Sequence, residues 1–182
     1  MKVQYFTACT LDGFIADEDN SLDWLFEAPH SPEHTFWDDW FPGIGGMVWG
    51  ATTYEGHLER NGLGADSWRE YFGERPCWIF THHELPLVPG IPMKLVEGDV
   101  QPVYDEAVAV VGDRDLWLVG GGELVGQFYD AGLLHEIILE LAPVTLGTGA
   151  PLLPRRITSK NLHFREAELI GQRLQIVVDV TR

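Results

Sequence analysis

The stretch "LWLVGGGELVGQFYDAG", Leu116 to Gly132, decides the fold. A short apolar run stops on three consecutive glycines, and a helical pattern starts at once. Gly120, Gly121 and Gly122 free the backbone in φ and remove the β-carbons that would hold a bulky anion away. The N–H groups of Glu123 and Leu124 then point out of a helix N-terminus, where a phosphate binds well. The same sequence also suits a tight strand-to-helix turn with no ligand, and both readings stay open at this level. The dinucleotide fingerprint GxGxxG is missed, because the third glycine is Gly126, one place late. The turn also comes late in the chain, whereas a Rossmann domain starts with its fingerprint.

Outward from this turn, strand and helix patterns alternate. "VQYFTACT" (3–10), "GMVWG" (46–50), "PCWIFTH" (76–82), "MKLVEG" (93–98), "DLWLVG" (115–120) and "LHEIILELAPV" (134–144) read as strands. Helices are expected at "SPEHTFWDDWF", with Ser31 as N-cap and Pro32 in first position, and at "TTYEGHLER", from a Thr cap. "DVQPVYDEAVAVVG" and "GELVGQFYDAG" read as helices closed by Gly112 and Gly132. Residues 161–182 read as a hairpin turning at Gly171-Gln172, with Leu174, Ile176, Val178 and Val180 on one face of its second arm. The expected fold is one α/β domain over residues 1–182: a mainly parallel central sheet of about eight strands, flanking helices and a C-terminal antiparallel hairpin.

Composition limits the partners. The formal net charge is −16, from 12 Lys plus Arg against 28 Asp plus Glu. That balance speaks against nucleic acid and against an anionic membrane surface, since both need a basic footprint. A small anion held by backbone N–H groups remains compatible. The opening "MKVQYFTACT" lacks a signal peptide's apolar core, and no apolar run has membrane-spanning length. Cys9 and Cys77, each in an apolar run, read as buried free thiols in a reducing cytoplasm rather than a disulfide framework or metal site.

Three further stretches, "ACTLDGFIA" (8–16), "VWGATTYE" (48–55) and "LHEIILELAPVTLGTGAPLL" (134–153), join the glycine turn in a fixed order. Together they resemble the dihydrofolate reductase-like superfamily. Within it, the chain resembles the group related to the C-terminal reductase domain of the bifunctional deaminase/reductase of riboflavin biosynthesis. The resemblance spans essentially the whole chain. It implies an NADPH-dependent reductase of a small pteridine- or pyrimidine-like heterocycle, cytoplasmic, with homodimers paired through a sheet edge; the Leu174–Val180 arm is the candidate edge.

The resemblance also implies roles. Ala8 would offer backbone groups to the nicotinamide amide, and Ile15 and Ala16 would close a loop over the ring. Trp24 would stand near the substrate, and Thr81, with His82 after it, near the adenosine. Gly50, Thr52 and Thr53 would form one side of a pyrophosphate clamp, and Gly120, Gly121, Gly122, Glu123, Leu124 and Val125 the other.

Two positions depart from the family pattern. Ala51 stands where an arginine commonly pairs with the 2′-phosphate, which weakens discrimination against NADH. His82 and His83 either replace that cation or form an exposed turn before Pro86. The ring-facing carboxylate of true dihydrofolate reductases falls by spacing near His34, and the candidate acids are Asp38, one turn along, and Glu140. Asp38 is either that acid or a solvated neighbour of Asp39. Glu140 interrupts an apolar strand, as a substrate-facing group or as an edge carboxylate paired to an arginine. Two other readings remain. One is a binder of the same fold without turnover. The other is an interaction subunit presenting Trp24, Trp37, Trp40 and Trp68. The loops at 17–30 and 62–71 are expected to shape the substrate site.

Overall fold

The computed structural model describes residues 1–27 and 36–182; the expected Ser31 cap, Pro32 and the His34 position lie outside the described residues. In chain order the elements are β1 (Val3–Thr10), β2 (Phe14–Ala16), α1 (Asp23–Glu27), α2 (Phe36–Trp40), a 3₁₀ turn (Phe41–Gly43), β3 (Ile44–Gly50), α3 (Ala51–Asn61) and α4 (Ala65–Phe72). There follow β4 (Cys77–Phe80), β5 (Met93–Val96), α5 (Val100–Val111), β6 (Asp115–Gly120), α6 (Gly122–Asp130), β7 (Glu136–Ala142), β8 (Ala150–Pro151), β9 (Leu162–Ile170) and β10 (Arg173–Val180).

The main sheet has eight strands in the order β5-β4-β3-β6-β1-β7-β10-β9, parallel from β5 to β7, with β10 and β9 antiparallel. Both faces are covered, which is why the central strands read as near-continuous apolar runs. On one face Val100, Val103, Ala107 and Val111 of α5 and Leu124, Val125 and Phe128 of α6 pack on Val3, Tyr5, Val48, Leu116 and Leu118. On the other, Tyr54, Trp68 and Phe72 meet Phe6, Met47, Trp49, Trp117 and Ile138. Successive strand residues thus feed alternate faces, as the two-residue period demands.

Four expectations change. Residues 65–72 are helix rather than loop, because Trp68 and Phe72, four apart, anchor one helical face in the core. The α3 cap is Gly50, not a threonine, since Gly50 still pairs with Phe80 as strand. The sheet edges are β5 and β9, whereas the Leu174–Val180 arm lies between β7 and β9. Of the tryptophans offered for a partner surface, Trp24 and Trp68 are buried, and Trp37 and Trp40 are half-buried against Phe6 and Trp117. Cys9 and Cys77 are free and buried. Among the described residues no helix is long and apolar enough to cross a membrane.

Candidate functional site

The strand order reverses around β1, whose parallel neighbours β6 and β7 lead to opposite halves of the sheet, so the carboxyl ends of these strands open a crevice. Two helices begin there side by side. Trp49 of β3 pairs with Gly120 of β6, so α3 and α6 start as neighbours at the carboxyl end of the sheet. Their N-caps, Gly50 and Gly121, offer no side-chain oxygen. The first-turn N–H groups of Ala51, Thr52 and Thr53, and of Gly122, Glu123 and Leu124, therefore have no acceptor within their own helices. Val125 is different: its N–H donates to Gly121 O at 3.2 Å, and its side chain is core. By contrast α5 is capped by Asp99, whose carboxylate accepts from Gln101 N.

Glycine is required here for space. A β-carbon on Gly50 would lie 3.1 Å from Gly120 O and 3.3 Å from Gly121 N. One on Gly122 would lie 2.4 Å from the carbonyl oxygens of both Pro151 and Leu152. Gly120 has φ +124° and is joined to Gly121 by a cis peptide bond. A methyl group on Gly121 would meet Ile15 Cδ1 at 3.8 Å and Thr53 Oγ1 at 3.9 Å. Ile15, Thr53 and the glycine turn, far apart in sequence, thus converge on one spot. Two bare helix N-termini in a backbone-lined cradle supply donors and positive dipole ends without lysine or arginine, which fits the pyrophosphate of a dinucleotide.

The loop carrying Ile15 and Ala16 is clamped. β2 pairs with β8, and Leu152 N donates to Gly13 O at 2.9 Å. The Asp12 carboxylate accepts from Thr10 Oγ1, Leu146 N and Gly147 N, and the Thr10 hydroxyl, then the Gly147 N–H, hold it below the ordinary carboxylate range. Tyr5, buried, donates to Leu152 O at 3.1 Å and so pins the next residue along.

At the far end of the crevice, Thr81 Oγ1 donates to His83 O at 2.9 Å. His83 Nε2 lies 3.1 Å from Glu55 Oε1, and His82 Nδ1 lies 3.8 Å from Glu97 Oε2. Each imidazole stands against a carboxylate, so the pair makes a poor substitute for the missing arginine. Glu123 is engaged by Arg155 Nη1 and Nη2 at 2.9 and 2.8 Å, and Arg155 Nε also holds Asp130 at 2.7 Å. Its backbone N–H, not its carboxylate, is what faces the cradle.

Glu140 pairs across the sheet with Ala8 on one side and Gln175 on the other. Its carboxylate meets Arg173 Nη1 at 3.4 Å, and Arg173 Nη2 donates to Leu25 O at 2.8 Å. It is thus arginine-paired, although on an interior strand rather than an edge. Trp24, on α1, keeps its indole Nε1 buried without a partner. Asp38 is exposed, and Asp39 rather than Asp38 joins Phe36 on a cavity wall, because residues three apart share a helical face. Sequence reasoning missed Gln175, and its apolar neighbours gave no signal. Among the described residues no cluster of metal-ligating side chains forms.

Comparison with known proteins agrees with this fold. The model of the RibD C-terminal domain matches residues 73–176. A protein of Shewanella sp. PV-4 ascribed to riboflavin biosynthesis superposes over 100% of both chains, with TM-score 0.80 and 23% identity. The diaminohydroxyphosphoribosylaminopyrimidine deaminase/5-amino-6-(5-phosphoribosylamino)uracil reductase of Thermotoga maritima covers 99% of this chain with 56% of its own, at TM-score 0.67 and 14% identity. The dihydrofolate reductase of Enterococcus faecalis, solved with NADP(H), covers 98% with 95% of its own, at TM-score 0.58 and 14% identity.

Proposed function

The chain belongs to the RibD C-terminal domain family, and on that footing we propose that it is an NAD(P)H-dependent reductase of a small pteridine- or pyrimidine-like heterocycle. The observation that carries this reading is the pair of uncapped helix N-termini meeting at Gly50 and Gly120–Gly122. NADPH is the proposed cofactor, and when bound it supplies the hydride. The protein orients: first-turn N–H groups of α3 and α6 hold the pyrophosphate, backbone at Ala8 meets the nicotinamide amide, and Ile15 and Ala16 exclude water. Glu140, next to Ala8 and held by Arg173, is the proposed acid at the ring. Trp24 stands on the substrate side.

Ala51 leaves the 2′-phosphate without a guanidinium, so NADH competes. Ala51→Arg is expected to raise the preference for NADPH about tenfold, a typical worth for one charge-assisted bond. We also propose a homodimer through β9, an edge strand on which Phe164 and Leu169 are 80% and 69% exposed.

The Arg173 pairing of Glu140 gives weight to a second reading, a binder without turnover. Loss of absorbance at 340 nm across a panel of oxidised pteridines and pyrimidines separates the two. Oxidation of cofactor with one of them supports the reductase; tight binding with no oxidation leaves the binder.

A further inference from the structure

A cavity of about 720 Å³ opens beside the crevice, between α2 and the antiparallel end of the sheet, with Phe36, Asp39, Glu166, Glu168, Gln175 and Val177 on its wall. That volume suits a one- or two-ring ligand. It adjoins the reaction centre, because Gln175 pairs with Glu140 and Glu140 pairs with Ala8. Two strand spacings separate Ala8 from Gln175, roughly 10 Å, the reach of a substituted bicyclic ring.

Two independent features define what fits. The first is Gln175: only 6% exposed, it keeps its Nε2 without a hydrogen-bond partner. A buried amide donor left unmatched is costly, and an acceptor on a ligand would relieve that cost. The second is charge. The wall carries three carboxylates, Asp39, Glu166 and Glu168, and no cation among the described residues. The nearby guanidiniums are committed: Arg165 to Glu136, Asp179 and Glu166 itself, Arg173 to Glu140 and Leu25 O. A phosphate entering this space would meet a wall whose carboxylates outnumber the guanidiniums already engaged there.

We propose that this cavity is the substrate pocket and that it takes an unphosphorylated, neutral or cationic amino-heterocycle. A ring carbonyl or ring nitrogen of that ligand accepts from Gln175 Nε2, and its amino N–H groups donate to the carboxylates of the wall. The proposal rests on the reductase reading for the pocket's role, and it separates this chain's substrate from the phosphoribosyl compound that the Thermotoga enzyme's name carries.

The test is calorimetric titration of the full chain with pterin (2-amino-4-oxopteridine) and with uridine 5′-monophosphate, with NADPH and NADH titrated separately. Pterin is expected to bind at least about tenfold more tightly than the nucleotide. Gln175→Leu is expected to weaken pterin roughly tenfold while leaving NADPH affinity unchanged. Glu168→Lys, on the exposed edge strand, is expected to weaken pterin and tighten uridine monophosphate, which keeps the test sound if the buried substitution misfolds. The proposal is overturned by nucleotide binding as tight as pterin's, by no pterin binding, or by pterin affinity that ignores both variants. Pterin binding with the expected pattern, without binding of either dinucleotide, supports the pocket and overturns the reductase reading.

Discussion

Gly122 has no room for a methyl group, since two carbonyl oxygens would stand 2.4 Å from it. Gly122→Ala is expected to lower stability by about 1–3 kcal/mol by pushing the 151–152 segment away, and to weaken NADPH binding with it. Thermal melts and cofactor titration measure both; an unchanged melt would mean that the close approach yields at no cost. His57 makes a second prediction. Its ring packs among Trp49, Trp68 and Phe72, and burial, aided by the Arg60 charge, pushes its pKa down to about 4. A base whose folded pKa is depressed favours the fold while neutral. Its contribution is therefore complete above the ordinary imidazole range and fades as pH falls toward about 4. His57→Leu should flatten the Tm profile between neutral pH and that value, whatever its absolute Tm. Parallel profiles would place the acid sensitivity elsewhere.

At the scale of elements, one side chain adds to the β2–β8 pairing that holds the loop over the cradle. Asp12 gathers Thr10, Leu146 and Gly147, joining the 11–17 segment to the chain that leads into β8. Because these donors depress its pKa, the clamp is intact above the ordinary aspartate range and is lost as pH falls through the lowered value. Asp12→Ala is expected to speed limited proteolysis within residues 11–20 several-fold at neutral pH, an effect that wild type shows only on strong acidification. Equal cleavage rates at neutral pH would show that β2–β8 pairing alone suffices. The helices show how much was legible. α5 and α6 announced themselves by apolar period and terminal glycines, whereas α4 hid behind Gly62, Gly64 and Gly73, and only the Trp68–Phe72 spacing marked it. Gly50 as cap was invisible because it follows from strand pairing with Phe80, thirty residues away.

For the whole molecule, the alternation of strands and helices gave the parallel sheet and the hairpin gave its antiparallel end, because both faces of the interior strands must be apolar. The site was legible where backbone makes it, at the glycine turns. It was not legible where tertiary partners decide a side chain's state: Glu123 with Arg155, and Gln175 alone; for Glu140 an arginine partner was one of two readings, and only the fold names it as Arg173. Assembly belongs to this scale too. If β9 joins two copies, Leu169→Lys should shift sedimentation from dimer to monomer with the fold intact. A wild type that sediments as a monomer would remove the edge-strand interface.

The central claim is that α3 and α6 together hold a dinucleotide pyrophosphate. A crystal structure of the protein soaked with NADPH tests it most directly. The account predicts the pyrophosphate between Gly50–Thr53 and Gly121–Leu124, within hydrogen-bond reach of first-turn N–H groups of both helices. Cofactor density away from that cradle, or a cradle left vacant at saturating NADPH, would contradict it.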